Sequence, residues 1–275
     1  MARAKKGQVS SLKIKKAVLY IGGEDLLVHR FSSKALYEMI GKQMQLATAG
    51  REARDPQFEH VRSIHYLPGK RFGFPSRALK SALVRGADFT KIMKMTEAKG
   101  AIFVCGEKVP SPLGSDRMLE LVGIPSFHAK PVRVAGQAAM RFRAEFQEWA
   151  AAVPIEFNEA LVSIEQIVQM LMAAGYGCGI GEDSARKGGE LGKFTQISQQ
   201  QHDALKKRIS KEREAWFKTN ADAISAIDQE DRRLIDLLMN PLAQVALDES
   251  LRAAGRTPKG KPKLAAAVNG EATHS

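Results

Sequence analysis

Seven glycines lie within the eighteen residues 175–192, and the first four of them alternate with single larger residues. Glycine adopts positive φ without strain and lets another backbone approach closely. Successive N–H groups exposed in such a turn form a concavity that binds anions. We therefore predict that this segment, called the glycine loop below, binds phosphate. The residues expected to make these contacts are Gly179, Gly181, Arg186, Lys187, Gly188 and Gly189.

The order of residues in the glycine loop excludes a P-loop and argues against a dinucleotide-binding motif. The segment lacks the GxxxxGK[ST] pattern of a P-loop. Its GxGxG run follows a predicted helix, whereas the dinucleotide-binding fingerprint follows a strand. A flexible connection between a helix and a strand remains the alternative interpretation.

A second group of cations surrounds the start of a predicted helix at Phe74, Pro75 and Ser76. Helix N-termini attract anions through their free N–H groups and the helix dipole. The alternative is an amphipathic helix whose basic side is only solvated. The residues predicted to contact phosphate here are Arg71, Ser76, Arg77 and Lys80.

Basic residues also occur along two predicted strands. Arg141 and Arg143 alternate with Met140 and Phe142. Phe142 shares its face with apolar residues, so we expect it in the core and the two arginines on backbone phosphates. The first strand and its end add four further predicted contacts, which are Lys13, Lys15, His29 and Arg30.

The residue pattern predicts no catalytic group. The histidines are scattered along the chain without a partner at a fixed spacing. Glu182 and Asp183 lie in the glycine loop, where an exposed acid is the default interpretation, and no metal-binding motif is present. We therefore predict no metal, no cofactor and no enzymatic activity. Metal-independent RNA cleavage by a histidine and a lysine remains the enzymatic alternative.

The overall composition favours a polyanionic partner. The chain has 275 residues, a formal net charge of +12 and 44% hydrophobic residues. Neutralising phosphates releases condensed counterions, so an excess of positive charge promotes binding to nucleic acid. The two cysteines have no CxxC spacing, and no apolar run approaches the roughly 18 residues of a membrane span. These features predict a cytoplasmic protein without a membrane partner.

Periodicity and turn residues predict a mixed order of strands and helices. Predicted strands cover 11–21, 61–67, 100–106, 139–146, 149–157 and 193–197. Predicted helices begin at residues 33, 76 and 163, and two more cover 199–217 and 221–253. Residues 107–137 are predicted to leave the sheet as a long hairpin. Such an order predicts an α+β fold with an antiparallel sheet of the ferredoxin or RRM type and helices on one face.

Four regions follow from this pattern. A flexible basic arm (1–10) precedes the sheet domain (11–197), a helical extension covers 198–254, and a disordered tail (255–275) ends the chain.

Three segments together resemble the RAMP superfamily, whose RRM-like members form the backbone of CRISPR effector complexes. They are the strand end around 26–31, the helix start at 74–83, and the glycine loop running through 188–194 into a last strand. The chain also resembles a group of bacteriophage and prophage proteins with the same layout. The resemblance covers roughly residues 11–197.

The resemblance implies binding of single-stranded nucleic acid along its backbone by copies stacked side by side. It also implies a thumb-like role for residues 107–137. We predict non-catalytic binding, of RNA in preference to DNA, by a homo-oligomer in a bacterial cell, in a phage or CRISPR-related setting with other CRISPR-like subunits. One alternative is an endoribonuclease. Another is a phage factor whose C-terminal helices bind a host CRISPR complex.

Overall fold

The computed structural model describes residues 12–31, 35–36, 39, 55–111, 114–134 and 137–239. The predicted basic arm, most of the predicted helix from residue 33 and the predicted disordered tail lie outside the described residues. The strands are β1 (Ile14–Val28), β2 (His65–Leu67), β3 (Arg71–Pro75), β4 (Ile102–Val104), β5 (Glu107–Ser111), β6 (Gly114–Val134), β7 (Gln137–Asn158) and β8 (Phe194–Gln196). The helices are α1 (Pro56–Arg62), α2 (Ser76–Thr90), α3 (Met95–Ala101), α4 (Ile164–Gly177), α5 (Gln199–Arg208), α6 (Ser210–Thr219) and α7 (Ala221–Met239).

Four of the strands and two of the helices follow a βαββαβ path. This path runs β1, α2, β6, β7, α4 and β8, and the strands lie in the antiparallel order β6-β7-β1-β8. It is the connection of ferredoxin-like folds, so the predicted α+β class with a large antiparallel sheet is confirmed. Assignment to the RRM type in particular stays a prediction.

Helices α2 and α4 cover one face of the sheet and enclose the main core. Ser163 begins α4 with a capping box, in which its side chain and that of Gln166 each accept a hydrogen bond from the other's backbone N–H. The two helices touch at Gly86, where a Cβ atom would lie 2.0 Å from the carbonyl oxygen of Met170. Only glycine permits this approach.

Four local predictions are wrong. β1 does not end at the glycine pair but continues to Val28, and one unbroken strand, β7, replaces the two predicted strands 139–146 and 149–157. A helix, α1, occupies the first part of the strand predicted over 61–67. Ser76 is the first residue of α2, whose N-cap is Pro75, so Ser76 does not cap the helix.

Residues 107–137 are more closely tied to the sheet than predicted. They form β5 and β6, and β6 pairs with β3, β5 and β7 in the sheet. The far part of β6 and the near part of β7, from His128 to Arg143, form a two-stranded hairpin. The predicted hairpin is therefore present, but its base is a central strand of the fold.

Phe217 of α6 joins the main core, whereas α5 packs on the second face of the sheet. Leu205 and Ile209 pack there against Val122 and Ala150. The predicted helix 199–217 is broken at Ile209, and the predicted break at Asn220 separates α6 from α7. Within the described part of the chain, no helix is both long enough and apolar enough to cross a membrane.

Candidate nucleic-acid interface

A cleft of about 430 Å³ lies where the end of β1, the start of α2, the middle of β7 and the glycine loop meet. Its walls include the apolar side chains of Val28, Phe74, Pro75 and Ile180. Seven of the predicted contact residues line it, which are His29, Arg141, Arg143, Gly179, Gly181, Arg186 and Lys187. The fold thus brings together three segments that are far apart in the sequence.

The glycine loop is fixed to the sheet by backbone hydrogen bonds. The N–H of Glu182 donates to the carbonyl of Leu27 at 2.8 Å, and the N–H of Gly192 donates to that of Asp25 at 3.0 Å. Inside the loop, the N–H of Ile180 donates to the carbonyl of Gly192 at 2.9 Å. These bonds hold the loop against the end of β1, so the interpretation as a flexible connection is wrong.

The predicted anion nest is only partly possible in this arrangement. The N–H groups of Arg186, Lys187, Gly188 and Gly189 all donate to carbonyls within the loop, at 2.7–3.1 Å. These groups are therefore not free to receive a phosphate. Contacts of the loop with an anion must come mainly from the Arg186 and Lys187 side chains, which are both exposed.

Glu182 organises the cations of the cleft. Its carboxylate accepts a hydrogen bond from Nε of Arg143, lies 3.2 Å from Nδ1 of His29 and lies 3.9 Å from Arg141. The side chain is only 18% exposed, so the default interpretation of an exposed loop acid is wrong for Glu182. The neighbouring Asp183 is 35% exposed and pairs with Lys130 of the β6–β7 hairpin at 2.7 Å.

The contacts of Glu182 control its ionisation. Burial alone would raise the pKa of this carboxyl, but the hydrogen bonds from His29 and Arg143, together with their charges, lower it to about 2. Glu182 is therefore ionised throughout the physiological range. A permanently charged carboxylate keeps the side chains of Arg143 and His29 directed into the cleft.

Acid should weaken the fold through this carboxylate. Because the pKa of Glu182 drops from 4.5 to about 2 on folding, its stabilising effect is complete above about pH 4.5 and is lost as the pH falls toward 2. A shift of this size corresponds to roughly 3 kcal/mol. We expect the free energy of unfolding, measured by urea denaturation, to fall less across this pH range in Glu182→Gln than in the wild type. Equal pH slopes for the two proteins would contradict this assignment.

The two cationic side chains of the glycine loop, Arg186 and Lys187, differ in their contacts within the protein. Nη1 of Arg186 donates to Oγ of Ser81 on α2 at 2.7 Å. Lys187 makes no ion pair with any residue that the structure describes. Its charge is therefore available to a ligand.

Three of the predicted phosphate contacts form ion pairs with acidic residues outside the cleft. Arg30 is mostly buried and pairs with Asp231 of α7. Arg71 pairs with Glu107 at 3.0 Å, and Lys15 pairs with Glu159. Intramolecular pairing explains why these three do not join the other cations.

The remaining predicted residues also lie outside the cleft. Ser76 is buried, with 4% exposure, in the first turn of α2. Arg77 is exposed on α2, and Lys80 lies 4.1 Å from the centre of the Phe103 ring. Lys13 precedes β1 at the opposite end of that strand from the cleft.

Sequence reasoning missed two residues of the cleft. The ring of Phe31 is 57% exposed and lies 4.7 Å from the ring of His29, centre to centre. His65 also lines the cleft; burial, helped by the charge of Arg30, lowers its pKa to about 4, so its imidazole is neutral at pH 7. The run His29-Arg30-Phe31 carried a basic and aromatic signal for Phe31, but no spacing pointed to His65.

Among the described residues, no group of three or more His, Cys, Asp or Glu side chains is placed to hold a metal ion.

No protein-family model matches the chain, and no curated protein matches it.

Proposed function

We propose that this protein binds single-stranded nucleic acid by holding its sugar-phosphate backbone in the cleft. One observation carries the proposal. Among the lining residues that the structure describes, four are cationic, namely Arg141, Arg143, Arg186 and Lys187, and Glu182 is the single carboxylate. Such an excess of cations in a partly enclosed site attracts phosphate.

The shape of the cleft favours a single strand over a duplex. Its volume of about 430 Å³ lies in the range of sites that enclose a small ligand, such as one nucleotide unit. The exposed Phe31 ring beside His29 offers a surface on which an unpaired base can stack. A base paired inside a duplex presents no such face.

The preference for RNA and the side-by-side assembly are part of the same proposal and derive from the RAMP resemblance. On this proposal the protein is not an enzyme, and it acts in the cytoplasm in a phage or CRISPR-related setting. Size-exclusion chromatography with absorbance at two wavelengths tests the assembly. A large particle that carries nucleic acid supports it, and a monomer that stays monomeric with added RNA contradicts it.

Salt dependence of binding tests the proposed function. For single strands, the logarithm of the binding constant falls by about 0.7 per phosphate contact for each tenfold rise in salt. Four contacts predict a slope of about −3 for a labelled RNA oligonucleotide measured by fluorescence anisotropy. Undetectable binding of both RNA and DNA at low salt would refute the proposal.

Metal-independent RNA cleavage is the second candidate function, and one contact favours it. Nδ1 of His29 lies 3.2 Å from the Glu182 carboxylate, an arrangement that orients an imidazole for proton transfer. If cleavage occurs, RNA is cut in the presence of EDTA and the cutting is lost in His29→Ala. RNA that stays intact after long incubation with excess protein rules it out.

A further inference from the structure

One face of α2 carries a regular row of side chains next to the cleft. Arg77, Ser81, Arg85 and Phe89 follow one another at four-residue intervals, so they lie one above the other along the helix. Arg77, Arg85 and Phe89 are exposed. Neither arginine makes an ion pair with any of the residues that the structure describes.

The glycine loop joins this row to the cleft. Arg186, which lines the cleft, donates to Oγ of Ser81 in the middle of the row. Burial raises the pKa of the Cys178 thiol, and Arg85 and Arg186 both oppose that rise. Both guanidinium groups therefore act on the same thiol, and the Arg186–Ser81 hydrogen bond connects the lining of the cleft to the row on α2.

Two exposed aromatic rings mark the far end of the row. Phe89 is 54% exposed and Tyr176 is 79% exposed. The Phe89 ring lies against Gly177, where a Cβ atom would come within 2.8 Å of it, and Gly177 is the residue that follows Tyr176. Nζ of Lys193 lies 5.7 Å from the centre of the Tyr176 ring.

The charges around these rings select the class of ligand. Lys193 and Arg85 flank them, and the nearby acid Asp88 is already paired with Lys91 at 2.9 Å. Exposed aromatic rings among unpaired cations bind single-stranded nucleic acid, since every base has a face that stacks and the cations hold the backbone. An acidic protein segment could pair with the cations, but such a ligand would give no reason for two exposed aromatic rings beside them.

We propose that a single strand held in the cleft continues along this face of α2 and stacks a base on Phe89 and Tyr176. This inference rests on the proposed function and extends it to a second contact region. The row from Arg77 to Phe89 spans about 18 Å, at 1.5 Å per helical residue. A short oligonucleotide fills the cleft alone, and a longer one also reaches the two rings.

Oligonucleotide length separates the two contact regions. Anisotropy is measured with single strands of about 4 and about 16 nucleotides, within the site sizes of known single-strand binders. We expect Tyr176→Ala and Phe89→Ala each to weaken binding of the longer strand about tenfold and to leave the shorter strand unchanged. Tyr176→Phe, which keeps the ring, should bind like the wild type, as should Leu161→Ala, which removes an exposed side chain elsewhere.

A strand with abasic sites along one half provides the second comparison. Two strands are made, one with the abasic sites in the 5′ half and one with them in the 3′ half. If bases stack on the rings, one of these strands binds the wild-type protein as weakly as the intact strand binds Tyr176→Ala. That same strand binds Tyr176→Ala no more weakly still, because the stacking contact is already lost. If both oligonucleotides bind but Tyr176→Ala has no effect on the longer one, the path along α2 is wrong while the proposed function stands. If neither oligonucleotide binds, the proposed function is wrong, and the inference is overturned with it.

Discussion

Replacing Gly192 by alanine is expected to destabilise the protein by about 3 kcal/mol or more. Gly192 has φ +68°, and a Cβ atom there would lie 1.8 Å from the carbonyl oxygen of Ile180. This clash is with main chain, so no side-chain movement relieves it. The glycine loop would have to break its bond to Ile180 or its bond to β1. Urea denaturation monitored by circular dichroism measures the loss.

Gly188 provides the matched control. It also has positive φ, at +81°, but nothing lies within 4 Å of its missing Cβ atom. Gly188→Ala is therefore expected to destabilise the protein only by the conformational cost of the left-handed region, about 1–2 kcal/mol. If the two variants are equally stable, Gly192 does not approach the main chain of Ile180 as described.

The double variant Arg186→Ala, Lys187→Ala is expected to bind single-stranded RNA roughly ten times more weakly than the wild type, or weaker still. Both side chains are exposed at the cleft, so their removal takes away charge without disturbing the core. The salt slope should also become less steep by about 1.4, the sum for two phosphate contacts. Fluorescence anisotropy across a series of salt concentrations measures both quantities.

Lys13→Ala, Lys15→Ala removes the same net charge at the opposite end of β1 and is the control. If the cleft holds the strand, this variant keeps nearly wild-type affinity and slope. Equal losses in the two double variants would mean that binding follows the total charge of the protein and has no defined site.

The sequence predicted the order of the main elements well because their signals are local. The capping box at Ser163 and the apolar stripe of α4 need only neighbouring residues. β1 was predicted too short because Gly22 and Gly23 look like a turn. The structure uses Gly23 for close packing instead, since a Cβ atom there would lie 2.2 Å from the carbonyl oxygen of Lys193 next to β8.

β7 was predicted as two strands for a different physical reason. Phe146 and Trp149 are three residues apart, yet both are fully buried in the main core. Strict alternation cannot place both on one face. Gly123 pairs with Trp149 and Pro125 pairs with Phe146, so β7 has one more residue than β6 across this stretch, and this bulge breaks the alternation without ending the strand. From its own sequence, a bulge within β7 looks the same as a break between two strands.

The candidate site was predictable in its parts but not in its connections. The glycine loop and the arginines of β7 carried recognisable patterns. Their convergence on Glu182 did not, because Arg143 and Glu182 are 39 positions apart and His29 is farther still. The pairing of Arg30 with Asp231 likewise spans 201 positions. Only the fold determines which cations face a ligand and which are neutralised within the chain.

Cross-linking of a 4-thiouridine-labelled RNA strand, followed by mass spectrometry of the adduct peptides, tests the central claim most directly. The account predicts adducts in the glycine loop and in the part of β7 around Arg141 and Arg143, with loss of both when Arg186 and Lys187 are replaced by alanine. Adducts confined to the start of β1 or to α5, α6 and α7, with none at the cleft, would contradict it.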